Sequence, residues 1–247
     1  MLRTEFREVS ISDCIHFRGF RYGGYGNNIY EDYIIGLRNN RALTEIREQF
    51  IRRVLALRNN TFSEALGIDL AHAYPAWLYP WDLSSMKRFR FSEWTPEQNP
   101  DIVCHYSSGG VLASHINREF FWLERACSTM NLGYDPSRLG YITVLQLSGP
   151  ETSRYLVLDG NHRIAALHSL GRRKVRVRVL RRGLVSLYAM RIWPGVVAGK
   201  FSSQDSRRIF NRYFVEDNLS LSELTAQKIL FDEPLLAEKP AYDNEST

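Results

Sequence analysis

Cysteine is scarce in this chain: Cys14, Cys104 and Cys127 lie far apart and form no C-x-x-C pair. An odd, scattered set excludes a disulfide framework and a zinc knuckle, and it fits a reducing compartment. No segment reaches the ~20 consecutive apolar residues that a membrane helix needs. The opening MLRTEFREVS is charged from Arg3 and lacks the apolar stretch of a secretion signal. We therefore expect a cytoplasmic protein with no membrane partner. Metal-ligand spacing is missing as well. There is no H-E-x-x-H, and His162 and His168 are six apart, which puts them on different faces of a helix. Acid is absent from residues 172–182, where seven Lys and Arg crowd into one segment of a chain whose net charge is only +5, so the remainder is net negative. A basic balance this local excludes a nucleic-acid-coating protein. It leaves a local anionic partner or a solvated strand face.

What is present supports a proper core. The chain has 247 residues, 44% hydrophobic and 13% aromatic, too apolar for disorder and too short for two large domains. We expect a single domain over 1–247. It divides into a helical and loop elaboration over 1–140, an α/β core over 141–182, a loop and helices over 183–231, and a tail over 232–247.

Residues 16–36 are rich in glycine and tyrosine. Gly23, Gly24 and Gly26 before Asn27 and Asn28 read as a surface turn, and no Lys-Ser/Thr follows to make it a P-loop. Leu43, Ile46, Phe50, Val54 and Leu57 recur at helical spacing and predict a helix over about 41–58. Residues 71–100 hold four prolines and three tryptophans, Trp77, Trp81 and Trp94, the composition of an irregular loop or cap pinned by aromatic anchors. Ser107 and Ser108 open an SSGG stretch ahead of a second helical pattern, whose stripe is Leu112, Ile116, Phe120, Leu123 and Met130.

From Tyr141 the pattern sharpens. YITVLQL and RYLVL read as strands joined by a turn-rich connection, and HRIAALHSL reads as a helix ended by Gly171. VRVRV alternates strictly, which is a half-buried strand with arginines on the solvated face or lining a groove. Two short helices follow near 203–214 and 220–231.

The chemistry concentrates at DGNHR, Asp159 to Arg163. A helix start leaves backbone N–H groups without intrahelical partners and carries the positive end of the dipole. Gly160 permits a tight turn or close ligand approach, while His162 and Arg163 add donors in the first turn. The natural occupant is phosphate. An acid beside it, Asp159, then points to a magnesium ligand or a general base. Simple helix capping would account for Asp159 and Asn161, but not for Gly160, His162 and Arg163 beside them. For a second carboxylate or a substrate contact the candidates are Glu31 and Asp32 after the glycine turn, ahead of Glu119 and Glu124. His105, Ser107 and Ser108 are candidate substrate contacts from the loop before the second helix.

The stretch Tyr141 to Val179, centred on YLVLDGNHRIAALHSLG, resembles the ParB/sulfiredoxin superfamily, in which a strand–turn–helix with a G-x-x-R or D-G-x-H-R signature binds nucleotide phosphates. Sulfiredoxins carry a catalytic cysteine where this chain has Asn161. The chromosome-partitioning branch binds CTP through a glycine, an acid and two arginines, of which Gly160 and Arg163 match. The free-serine kinases carry Asp-Gly-His-His-Arg, and Asp159, Gly160, His162 and Arg163 match it, with Asn161 as the one departure. The resemblance implies a small mixed α/β sheet with nucleotide phosphates on Gly160, Asn161, His162 and Arg163. It implies ATP or ADP as the nucleotide, with magnesium at Asp159, and catalysis carried by Asp159, His162 and Arg163. RYGGYGNNIYEDY, DGNHR and WPGVVAGKFS are together similar to ParB-like proteins encoded with bacterial surface-polysaccharide enzymes, which suggests a sugar or sugar-conjugate acceptor. The first expectation is a nucleotide-dependent phosphotransferase on a small hydroxylated acceptor. The alternative is a CTP- or ATP-binding regulatory module that holds DNA through the basic strand and the carboxy-terminal helices. The six-residue connection VEDNLS is long for a helix-turn-helix, and its acids repel phosphate, so DNA is the less expected partner.

Overall fold

A central strand buried on both faces organises the molecule. In the computed structural model this is β3 (Ile142–Ser148), whose ITVLQLS sequence is almost continuously buried, as a strand covered on both sides must be. The structure describes residues 4–16, 19–23, 28–56, 61–74, 78–82, 109–180 and 185–215. Around β3 lie β1 (Thr4–Ser10), β2 (Cys14–His16), β4 (Ser153–Asp159), β5 (Lys174–Leu180) and β6 (Val185–Ser186). They form one mixed sheet in the order β1-β5-β3-β4-β2, with β6 beside the far end of β3. β3 runs antiparallel to β4 and parallel to β5 and β6, and β1 closes the β5 edge antiparallel. The fold is mixed α/β.

Alternation along the strands divides the core in two. Ile142, Val144, Val157 and the valines of β5 face one cluster, and Leu145, Leu147, Leu156 and Ile15 face the other. Over the first face pack α1 (Ile29–Arg38), α2 (Leu43–Ala56), α4 (Gly109–Asn131) and α6 (Asn161–Ser169). Over the second lie α3 (Phe62–Leu66), α7 (Pro194–Val197) and α8 (Ser203–Arg212). The short α5 (Pro136–Leu139) leads from α4 into β3.

The strand–turn–helix–strand unit falls where the periodicity puts it, within a residue or two at each boundary. In β5 Val175, Val177 and Val179 are buried and Arg176 and Arg178 exposed. Arg178 donates to Thr143 Oγ1 at 2.9 Å, and Arg176 lies over the Phe6 ring. Of the aromatic anchors of 71–100, Trp77 and Trp94 lie outside the described residues; Tyr74, Tyr79 and Trp81 belong with Leu78 to the second cluster, where Trp81 meets Trp193 and Phe210 edge to face. Residues 83–100, the helix read over 220–231 and the tail over 232–247 lie outside the described residues. So do Arg181 and Arg182 of the basic segment.

Helix α1 begins directly after the turn read over Gly23 to Asn28, within the glycine- and tyrosine-rich stretch 16–36. Its start follows from Asn28, whose side-chain oxygen accepts from the Tyr30 and Glu31 N–H groups at 3.0 and 3.3 Å. Asn followed three residues later by Glu is the composition of a capping box. Among the described residues, no helix is long and apolar enough to cross a membrane.

Candidate functional site

Strand β4 carries Asp159 at its carboxyl end, and the chain then turns through Gly160 at φ 96°, ψ 23° into α6. This left-handed conformation favours glycine. Space demands it as well, because a Cβ at Gly160 would stand 2.9 Å from Ile142 Cγ1 and 3.2 Å from Ile142 Cα. No side chain caps the start of α6 among the described residues, so the helix presents its first N–H groups without that competition.

Arg163 anchors the turn. Its guanidinium donates to the Leu139 and Gly140 carbonyls at 2.9 and 2.6 Å and to Asp159 Oδ2 at 2.8 Å. The Asp159 side chain remains 68% exposed. His162 leans the other way, with Nε2 2.6 Å from Glu119 Oε2 on α4, and the Tyr30 ring meets the imidazole edge to face. Asn161 turns its amide oxygen to the hydroxyl of the buried Tyr22, which donates to it at 2.6 Å.

In front of this turn opens a cavity of about 490 Å³. Asp159, Gly160, His162 and Arg163 form one wall, Arg138 and Leu139 of α5 a second, and Trp122, Arg125, Ala126, Thr129 and Met130 of α4 a third. Three arginines therefore face one carboxylate. Such a lining attracts an anion, and the helix N-terminus beside it adds backbone N–H donors.

The sequence-derived candidates separate on this geometry. Asp159, Gly160, His162 and Arg163 are brought together at the cavity. Asn161 adjoins them in sequence, but its amide is engaged with Tyr22, so it offers backbone rather than side chain. Asp32 pairs with Arg53. Glu31 accepts from the Gly23 N–H at 3.0 Å and lies 3.1 Å from His168 Nδ1. Neither acid is among the residues lining the cavity. His105, Ser107 and Ser108 lie outside the described residues. The acid that reaches the site's histidine is Glu119, and the cations that join it are Arg125 and Arg138; none has a local pattern that marks it. Glu119, ranked behind Glu31 and Asp32 on the sequence, is the candidate carboxylate that reaches the site, and the helical stripe Ile116, Phe120 and Leu123 is the signal that fixes the α4 face turned toward the core.

Among the described residues no group of three or more His, Cys, Asp or Glu converges on a metal position. One exposed carboxylate, Asp159, is what the turn offers a magnesium ion. That suits an ion which takes its remaining ligands from phosphate oxygens and water.

The Glu31–His168 pair clamps α1 to α6 behind the site and carries its own prediction. Burial pushes the Glu31 carboxyl above its usual range, opposed by His168 and the Gly23 N–H, and hydrogen bonding to Glu31 pushes His168 upward. A group with a raised folded-state pKa adds stability that is full below its unfolded value and is lost as pH rises through the folded one. Both shifts run upward, so the contribution declines from above the ordinary carboxyl value of 4.5 to beyond the ordinary imidazole value of 6.5. Between about pH 6 and about pH 8 the unfolding free energy of the wild type should fall more steeply than that of His168→Gln. Urea titrations across that range measure it, and parallel slopes would contradict the coupling.

No family model, curated protein or solved structure matches the chain.

Proposed function

We propose that this chain is a ParB/sulfiredoxin-like phosphotransferase that uses ATP or ADP to phosphorylate a small hydroxylated acceptor, a sugar, sugar conjugate or amino acid. The observation that carries the reading is the cavity itself. It opens directly before an uncapped helix N-terminus, and Arg125, Arg138 and Arg163 line it with His162. Catalysis of this kind is mostly positioning and charge stabilisation. The N–H groups of α6 and the Arg138 and Arg163 guanidinium groups hold the phosphates and take up charge as the transferred group separates, with Arg125 adding positive charge from its place over Trp122. Glu119 holds the His162 ring at the wall of the cavity. Asp159, exposed and oriented by Arg163, accepts the acceptor's hydroxyl proton. The acceptor oxygen forms its bond to phosphorus as the bridging oxygen of the nucleotide leaves with the bonding pair. Asp159 is the carboxylate that would hold magnesium, which would supply further charge neutralisation.

The basic face of α8 gives the DNA reading no comparable support. Arg208 and Arg212 donate to the Asp69 and Leu66 carbonyls, at 2.8 and 2.7 Å.

The test is label transfer from terminally labelled ATP and ADP to a panel of sugars, sugar conjugates and amino acids in the presence of magnesium. Asp159→Asn is expected to lower transfer by about a hundredfold or more while calorimetric nucleotide affinity moves only a few-fold. Transfer by Asp159→Asn at the wild-type rate removes the proton acceptor. Absence of nucleotide binding by the wild type removes the whole reading, and salt-sensitive duplex DNA binding without transfer favours the regulatory module.

A further inference from the structure

The cavity has two chemistries. Phosphate calls for the arginines and the helix start, yet the opposite wall is a stripe of α4 in which Trp122, Ala126, Thr129 and Met130 follow one another at helical spacing. Trp122 is 43% exposed, a large aromatic left open where a solvated anion alone needs none. Its ring is held on two sides. Phe121 meets it nearly edge to face at 5.2 Å between centroids, and the Arg125 guanidinium lies over one face of the ring, 5.6 Å from its centre. A volume of about 490 Å³ falls within the roughly 300–1,000 Å³ of pockets that bury a small-molecule ligand.

From this juxtaposition we infer that Trp122 is the stacking platform for the nucleotide's base, so that the ligand spans the cavity with its phosphates at Gly160 and Arg163 and its planar ring on α4. The inference rests on the phosphate reading of the turn and adds the recognition of the other end of the molecule. A ligand that is anionic at one end and flat and aromatic at the other satisfies both walls. A free oligophosphate satisfies only one. Base–aromatic stacking is tolerant of base identity, because every base offers a π-face. Trp122 therefore contributes affinity for nucleotides as a class, and the platform alone does not choose among ATP, ADP and CTP.

The experiment titrates the full chain with ATP and with inorganic tripolyphosphate, following tryptophan emission and heat. ATP is expected to bind about tenfold more tightly than tripolyphosphate and to quench emission. Trp122→Leu keeps an apolar side chain against α4 but removes the ring, and it should bring the affinity ratio close to one. Trp122→Phe restores a ring and should keep most of the ratio while losing most of the quench. Thermal melting confirms that each variant is folded. A ratio unchanged in Trp122→Leu overturns the platform, as does a ratio equally low in Trp122→Phe. Equal binding of ATP and tripolyphosphate by the wild type overturns it too, while leaving the phosphate site standing. If neither ligand binds, the phosphate reading falls and the platform falls with it.

Discussion

Gly160→Ala is expected to lower the melting temperature by roughly 10 °C and to abolish measurable oligophosphate binding. Two costs add at this position. An alanine held at φ 96° carries backbone strain of about 1–2 kcal/mol. Its Cβ would also sit 2.9 Å from Ile142 Cγ1 and 3.2 Å from Ile142 Cα. Ile142 is fully buried on the central strand and cannot step aside, so overpacking adds roughly 1–3 kcal/mol. A total near 3 kcal/mol corresponds to about 6–12 °C for a domain of this size. The same Cβ comes within 3.2 Å of Arg163 Nη2, which disturbs the fork that shapes the cavity. Gly171→Ala separates the two costs. Gly171 has φ 82° and nothing within 4 Å of a built Cβ, so it bears the backbone strain alone. A scanning-calorimetry shift for Gly160→Ala no larger than that for Gly171→Ala would falsify the close-packed account of the turn.

The contrast between these glycines shows what kind of information the sequence carries. Gly171 is legible as a helix end, since the apolar stripe Ile164, Leu167 and Leu170 stops before it. Gly160 is legible as a turn, but its contact with Ile142 arises from the pairing of β3 with β4 and from a register shift between Thr143 and Val144. Strand β5 declares itself by alternation, whereas β1 does not. Its Glu5, Phe6, Arg7 and Glu8 carry little apolar signal: Glu5 and Arg7 pair with each other on the face of the β5 valines while Phe6 is exposed beside Arg176 and Arg178, so this edge strand is held by its ladder to β5 rather than by alternation. Helix α1 is obscured by tyrosine and glycine, and the Asn28 cap is the signal that reveals it.

At the site the same division holds. Asp159, Gly160, His162 and Arg163 are consecutive or nearly so, and local geometry alone places them together. Glu119 reaches His162 across 43 residues, through the packing of α4 on α6. Periodicity treats Glu119 and Glu124 as interchangeable, yet Glu124 turns instead to Tyr33 and Arg47. The two histidines on α6 behave as their six-residue spacing requires, each meeting its own acid, Glu119 for His162 and Glu31 for His168. Glu31 and Asp32 rank first in sequence because they follow a glycine turn. Tertiary pairing with His168 and Arg53 commits both carboxylates to holding α1 in place.

Arg163→Ala should weaken tripolyphosphate and ATP binding alike by about a hundredfold, a larger loss than removal of the stacking ring. The guanidinium joins three elements at once, donating to α5 at Leu139, to the following turn at Gly140 and to the end of β4 at Asp159. Five N–H donors in a rigid fork can serve those three oxygens and still address a phosphate. Alanine removes the charge facing the ligand and releases the wall that carries Arg138, so two cations are affected by one change. Arg163→Lys keeps the charge but offers a point donor in place of a fork, and about tenfold of the loss should remain. Stability should fall by only about 1–2 kcal/mol, because Asp159 is exposed and water can satisfy it. The loss should shrink as ionic strength rises, since part of it is screened Coulomb attraction. Calorimetry at low and high salt reads both quantities. Affinity within twofold of wild type in Arg163→Ala moves the anion site away from this turn, and an equal loss in Arg163→Lys assigns it to the fork's geometry alone.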